Sequence, residues 1–153
     1  MGESCWVDGI QLPHEDAAER ALLGAVLICG DLFGHVWEAL RVDAFYRERH
    51  RLIFRALASL WFRGSALDLV LLCAELRRRG WLDRVGGAGY VASLVVGVPR
   101  SANWRHYAGL ILEAWWRRRV LDGAFVLVEA ALRGDVDSVT ASSAALAAVV
   151  RAR

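Results

Sequence analysis

The chain alternates apolar and polar positions with a helical period over most of its length. Ala18, Leu22, Ala25 and Cys29 share one face of residues 16–29, with Leu23 and Val26 beside them. Gly30 is placed to end that helix in a left-handed conformation, and Asp31 to cap a shorter one over 32–41. A turn at Asp43-Ala44-Phe45-Tyr46 feeds a helix over about 47–62, where Ile53, Leu57, Leu60 and Trp61 recur at i, i+4, i+7 and i+8. Asp68 can cap a helix over 69–79 that Gly80 closes, and a short helix over about 88–96 follows the next glycines. After Pro99, Ser101 can cap a long helix reaching Leu132, with Trp104, Ala108, Ile111, Trp115, Phe125 and Val128 near heptad spacing. Gly134-Asp135 reads as a turn and 138–150 as an alanine-rich helix.

No convincing strand interrupts this pattern. The chain is read as all-α: an N-terminal arm (1–12), a compact helical globule (13–98) and a C-terminal helical hairpin (99–153) in one domain overall. Apolar residues make up 56% of the 153, including seven tryptophans, more than one small core needs, so part of that surface is expected to meet a partner or a second copy.

Charge narrows the chemistry. Nineteen basic against seventeen acidic residues leave +2, too little for a domain held to nucleic acid mainly by phosphate attraction. Every basic residue is arginine. Without lysine the chain cannot build a phosphate loop with its lysine, a Schiff base or a kinase strand lysine. Cys5, Cys29 and Cys73 are scattered, with no zinc-ligand spacing around them, so no metal and no cofactor are expected. The acidic N-terminus lacks a signal peptide's apolar core. The longest uncharged run, Val85 to Pro99, has 15 residues and is broken by glycines, too short to span a bilayer. A cytoplasmic protein is expected.

Few residues invite a catalytic reading. His50 shares a face with Tyr46 and Ile53 and reads as a satisfied, buried imidazole; His14 reads as a helix-start cap. Glu15, Asp16 and Glu19 are what the positive end of a helix attracts. The stretch VGGAGYVA (85–92) contains G-x-G-x-x-A, but a helix rather than a strand precedes it, so Gly86-Gly87 are read as a tight turn and close helix approach with Tyr90 packing one turn later.

Two arginine triplets stand out. Arg77-Arg78-Arg79 ends a helix, where cations suit the dipole. Arg117-Arg118-Arg119 sits mid-helix behind Trp115-Trp116, and residues 100–120 carry five arginines against one glutamate, a local +4. Three consecutive helical residues span roughly 300°, so at least one of these arginines points inward or across to a neighbour. Trp115 and Trp116 cannot both face the same core. Aromatics beside arginines have the composition of an interface centre, with nucleic-acid binding and internal packing as the other readings.

Taken together, these stretches resemble the N-terminal domain of DnaB-type replicative DNA helicases. The resemblance runs from Pro13 to the last residue and rests on PHEDAAERALLGAVL (13–27), DAFYRERHRLIF (43–54), ALDLVLLCAELRRRGWLDRVGGAGYVASL (66–94) and VPRSANWRHYAGLILE (98–113), in that order and spacing. It implies a helical globule followed by a hairpin, dimerisation or higher assembly through hairpins into a collar, docking of a DnaG-type primase, and no ATP site. Pro13, His14, Glu19 and Gly24 match the family's opening helix, and Phe45, Tyr46 and His50 its core turn. Tyr90 matches the aromatic that ends its GGxxY turn, and Leu121 and Leu127 fall at its apolar hairpin contacts. With Arg105, Trp115, Trp116 and Arg117 from the aromatic-arginine face, these form the expected protein interface. Residues 134–153 lack the family's acidic character, and Trp104, Trp115 and Trp116 are heavier than its usual residues, which points to an altered interface. The expected function is a non-catalytic replication module that docks primase or a DnaB-type helicase, as an excised domain or as a stand-alone adaptor. Direct nucleic-acid binding through arginine patches is the alternative, expected to be weak or absent; no membrane partner is expected.

Overall fold

The computed structural model describes residues 11–98 and 101–152, with Ser101 described by its backbone alone. The expectations for Cys5, for most of the 1–12 arm, for Pro99 and for a Ser101 cap lie outside the described residues. Seven α-helices occur among the described residues: α1 (Asp16–Ile28), α2 (Leu32–Ala39), α3 (Glu48–Phe62), α4 (Leu69–Arg78), α5 (Gly87–Ser93), α6 (Trp104–Arg133) and α7 (Val136–Arg151). Single 3-10 turns at Val42–Ala44 and Ser101–Asn103 precede α3 and α6, and the described residues contain no strand. The fold is all-α.

The chain divides into two units, residues 15–113 and residues 11–14 with 114–152, so α6 supplies its first third to one and the remainder to the other. The first unit has a closed core. The apolar face read from α1 is buried at Leu22, Leu23, Ala25 and Val26; α1 packs on α3, where Ile53, Phe54 and Leu57 are buried, and α3 packs in turn on α4, where Leu72 and Leu76 are buried. Phe54 is its aromatic centre, with ring centroids of Phe45, Phe33 and Trp37 at 4.9, 5.4 and 5.6 Å. Offset rings at these distances add to the area they bury.

Two glycine sites hold this unit's close approaches. A Cβ on Gly24 would sit 2.1 Å from the Leu94 carbonyl oxygen and 2.6 Å from Val98 Cγ2, so α1 touches the 94–98 segment backbone to backbone. Gly86 and Gly87 both have positive φ, 101° and 74°, a region open to glycine at little cost. The expected tight turn is there, and so is Tyr90 one turn later: a Cβ on Gly86 would come 3.0 Å from Tyr90 Cβ, while one on Gly87 would meet nothing.

Capping differs from expectation at several ends. Asp68 accepts from the Leu71 amide at 2.8 Å as expected. Asp31 does not cap: its own backbone is helical, and it makes no side-chain capping bond. Gly30 is not left-handed; it lies where a Cβ would come 3.5 Å from Leu67. The second helix ends at Ala39 because buried Leu40 is extended, and α5 stops at Ser93, short of the expected 96. His14 Nδ1 donates back to the Leu12 carbonyl at 2.7 Å, while Glu15 takes the N-cap position of α1.

The second unit is a helical hairpin. Asp135 starts α7 two residues earlier than expected, its carboxylate accepting from the Ser138 amide at 3.0 Å and the hydroxyl at 2.5 Å, which holds the Asp135 carboxyl below its usual range. The arms meet where Gly123 faces Leu146, a Cβ there coming 3.0 Å from Leu146 Cδ1. No residue of α7 is buried.

Candidate protein interface

Tyr90 sits at the end of a hydrogen-bonded chain that starts in the core of the first unit. Glu19 on α1 is buried, its Oε1 accepting from the Tyr46 amide at 2.5 Å and its Oε2 from the Arg47 amide at 3.4 Å. His50, also fully buried, places Nδ1 2.5 Å from Glu19 Oε2 and Nε2 2.6 Å from Tyr90 Oη. Glu19 Oε2 and Tyr90 Oη thus occupy both ring nitrogens, and the imidazole bridges the core carboxylate to the phenol. The histidine is the satisfied imidazole expected. Glu19, however, does more than answer the helix dipole: it fixes the turn before α3 and orients the ring.

The same turn is tied to Asp16 by Arg47, whose Nε and Nη2 lie 2.9 and 2.5 Å from the carboxylate. Tyr90 itself is half-buried, and that burial pushes its phenol above the usual tyrosine range. Its ring is flanked by cations: the guanidinium carbons of Arg49 and Arg20 lie 4.3 and 5.5 Å from the centroid. The phenol is held from within, and its ring is the part left for contact.

The first arginine triplet has another fate than the dipole reading gave it. Glu75, buried on α4, accepts from Arg78 at 2.8 and 2.9 Å, from Arg79 at 2.5 Å and from Arg63, just past the end of α3, at 2.8 Å. These arginines hold the Glu75 carboxyl far below the usual range, against the burial that would raise it. Arg79 also donates to Ser59 Oγ at 2.8 Å. Much of the triplet's charge is therefore already engaged within the fold.

The second triplet splits as helical geometry requires. Arg118 is buried, 7% exposed, and donates from Nη1 to the Pro13 carbonyl at 2.7 Å, while Arg117 and Arg119 are exposed. Trp115 and Trp116 are both half-buried. Arg119 lies over the Trp115 ring at 5.9 Å, and Trp116 Nε1 donates to the Val149 carbonyl at 3.4 Å, linking the hairpin's arms. Leu121 and Leu127 are half-buried along the same helix. Beyond them the apolar stripe is uncovered: Val126, Val128, Leu132, Val136 and Val150 are exposed, Leu132 to 67%. A shallow, mainly apolar hollow between the arms is lined by Gly123, Val126, Ala141, Ser142 and Ala145.

Tyr90 and Arg105 thus belong to the first unit, and Trp115, Trp116, Arg117, Leu121 and Leu127 to the hairpin. Arg105 is exposed and stacks 4.8 Å over Trp104. Trp104 departs from the interface expectation: it is buried, with its ring 6.1 Å from that of His35. Sequence reading also passed over an outward aromatic patch, where Trp37 and Phe62 meet edge to face at 5.4 Å and Phe62 is 66% exposed. The signal available was the pair Trp61-Phe62 at a helix end, since adjacent residues on a helix cannot both enter one core.

No group of three or more possible metal ligands occurs among the described residues, and no helix among them is long and apolar enough to cross a membrane.

Comparison with known proteins places this geometry. Residues 11–113 match the family described as DnaB-like helicase N terminal domain. The replicative DNA helicase DnaB of Mycobacterium leprae is 40% identical over 121 residues, 79% of this chain and 20% of the relative. That of Treponema pallidum is 39% identical over 124 residues, 81% of this chain and 28% of the relative. The chain therefore spans less than a third of these relatives' length. The crystal structure of the N-terminal domain of DnaB helicase from Mycobacterium tuberculosis superposes with a TM-score of 0.84 at 36% identity, covering 88% of this chain and 97% of that one. A DnaB-like replicative helicase, solved in a study of its interactions with primase, has the same fold, with a TM-score of 0.72 at 20% identity over 86% of this chain and 31% of that one.

Proposed function

The chain belongs to the family of DnaB-like helicase N-terminal domains, and from that premise we propose that it is a self-associating docking module of a bacterial-type replication machine. It performs no chemistry of its own; its surfaces hold copies of itself together and receive a primase or a full-length helicase. The observation that carries this reading is the hairpin's unfinished state. A sixteen-residue helix with no buried residue, beside exposed Val126, Val128 and Leu132, leaves apolar area that a second hairpin would cover. Trp115, Trp116, Arg117 and Leu127 supply the aromatic and arginine anchors usual at interface centres. Tyr90 and Leu121, with Arg105, are assigned to the partner-facing surface, where a DnaG-type primase would dock. A cytoplasmic location goes with that role.

Light scattering on a size-exclusion column tests it: a dimer or larger assembly is expected, and the double variant Val126→Asp, Leu132→Asp should run as a folded monomer. Pull-down with the helicase-binding domain of the organism's own primase tests docking. A wild-type chain that stays monomeric and ignores both primase and helicase overturns the reading.

Direct nucleic-acid binding is the second reading, favoured by exposed Arg117 and Arg119. It is ranked lower because Arg118 is spent on Pro13 and Arg63, Arg78 and Arg79 on Glu75. Tight binding to DNA that falls steeply with salt and is lost on replacing Arg117 and Arg119 would reverse the ranking.

A further inference from the structure

We infer that the first unit carries a second, smaller docking site, built to receive an amphipathic helix of a partner protein with a carboxylate at its end. The inference rests on the reading of this chain as a docking domain and adds the chemistry of what docks.

Its apolar part is a groove of about 460 Å³ formed by α1, the segment after α5 and the start of α6. Ala17, Ala21, Leu94, Val98, Tyr107 and Leu110 line it, with Val96 standing 76% exposed at its mouth. Its charged part begins at Arg20, which also lines the groove and reaches Ser93 Oγ at 3.4 Å. Arg20 and Arg49 share the Tyr90 ring, both guanidinium carbons within 5.5 Å of its centroid.

These two arginines differ from the others around them. Arg47 is paired with Asp16, Arg84 with Glu48, and Arg63, Arg78 and Arg79 with Glu75. Among the described residues neither Arg20 nor Arg49 has a carboxylate within ion-pair distance. Glu15, the carboxylate in the groove lining, lies five residues before Arg20, about 7.5 Å along a helix axis. The Tyr90 ring under both guanidiniums is fixed from below by His50, so little order remains to be gained on binding.

A carboxylate fits this end and apolar side chains fit the groove beside it. A nucleic-acid backbone fits less well, since it would need a continuing basic track where the surface instead turns apolar. The partner's binding face is therefore a leucine-type stripe at i, i+3 or i+4, and i+7, with aspartate or glutamate next to it.

Three fluorescein-labelled helical peptides with one leucine stripe, differing only in whether two flanking positions are Glu, Gln or Lys, test this by fluorescence anisotropy on the full chain. The Glu peptide should bind about tenfold or more tighter than the Lys peptide, with Gln between them. The double variant Arg20→Gln, Arg49→Gln should erase that order, and Val96→Asp should weaken all three. Both sets of positions lie at the surface, and circular dichroism checks that the variants fold. Binding of the three peptides with equal strength, or no saturable binding of the Glu peptide, overturns the inference. Displacement of the Glu peptide by oligo-dT would overturn it in favour of phosphate, and dissociation of the chain's own oligomer by Val96→Asp would give the groove to a second copy. Oligomer size, measured in parallel on the Arg20/Arg49 variant, separates failure of this site from failure of the hairpin reading.

Discussion

The two units of the chain are made of similar residues and finish their folding differently. In residues 15–113 the apolar faces of α1, α3 and α4 cover one another, and buried Glu19, His50 and Glu75 all have partners. In the hairpin, no residue of α7 is fully buried, and valines and leucines of both arms stand in solvent. Helices draw most of their stability from packing an apolar face, so a unit that leaves such faces open depends on what it binds. Under the proposed function the hairpin is where copies of the chain would associate and the first unit is the scaffold that carries it, a division that substitutions can test.

The largest effect is expected at the aromatic centre of the first unit. Phe54→Ala removes a fully buried ring contacted by three others and should cost about 3–5 kcal/mol in urea or thermal unfolding. If the loss is under about 1 kcal/mol, the unit is not the rigid scaffold that its packing indicates.

Next in size is the buried carboxylate. Glu75→Gln keeps the shape but removes the negative charge and one of the two accepting oxygens that Arg63, Arg78 and Arg79 share, a cost of about 2 kcal/mol once the partial exposure of these arginines is allowed for. The pH dependence carries the same information. A carboxyl whose folded pKa is depressed binds protons more readily when unfolded, so its stabilisation is complete above the unfolded value of about 4.5 and fades as pH falls below it. Wild type should lose stability on acidification below about pH 4.5 more steeply than Glu75→Gln. Identical acid limbs for the two proteins would remove Glu75 from the account.

How much of this was legible in the sequence follows the same division. Helical period and turn chemistry located every described helix to within a few residues; Ala18, Leu22 and Ala25 of the first stripe and Ile53, Leu57 and Leu60 of the next are core as read, while Cys29 is half-buried and Trp61 is exposed. Periodicity reports burial; it does not report which polar groups meet. Glu19 and Asp16 look alike at a helix start, yet one is buried against His50 and the other sits under Arg47, because α3 crosses α1 at that point. Arg77-Arg78-Arg79 follows Glu75 closely in sequence, but the convergence needed Arg63 from the end of α3, 12 residues away. Gly24 failed to announce its contact for the same reason, since the clashing carbonyl belongs to Leu94. The hairpin was legible as helices, and its surplus tryptophans pointed to a partner; Trp104 misled because it shares their composition and lies buried.

A smaller effect is expected at the hairpin's turn. Asp135→Ala removes an N-cap whose carboxylate bonds both the amide and the hydroxyl of Ser138 and should cost about 1 kcal/mol. The loss should appear as faster amide exchange in α7, with the protection of α1 and α3 unchanged. Exchange that rises equally in both units would mean they unfold together, and the division into scaffold and assembly would have no energetic content.

The smallest effect is the most telling, because its size should depend on concentration. Leu132→Ser removes an apolar side chain that is 67% exposed, so in dilute solution, where single chains prevail, stability should change by no more than about 0.5 kcal/mol. At concentrations where wild type associates, the same substitution should lower the unfolding midpoint, because coupling to assembly stabilises a protein only as far as assembly occurs. A residue belonging to the chain's own core would give one value at every concentration. Leu132 should give two, near zero alone and larger in company, and that difference measures how much of the hairpin's fold is supplied by its partner.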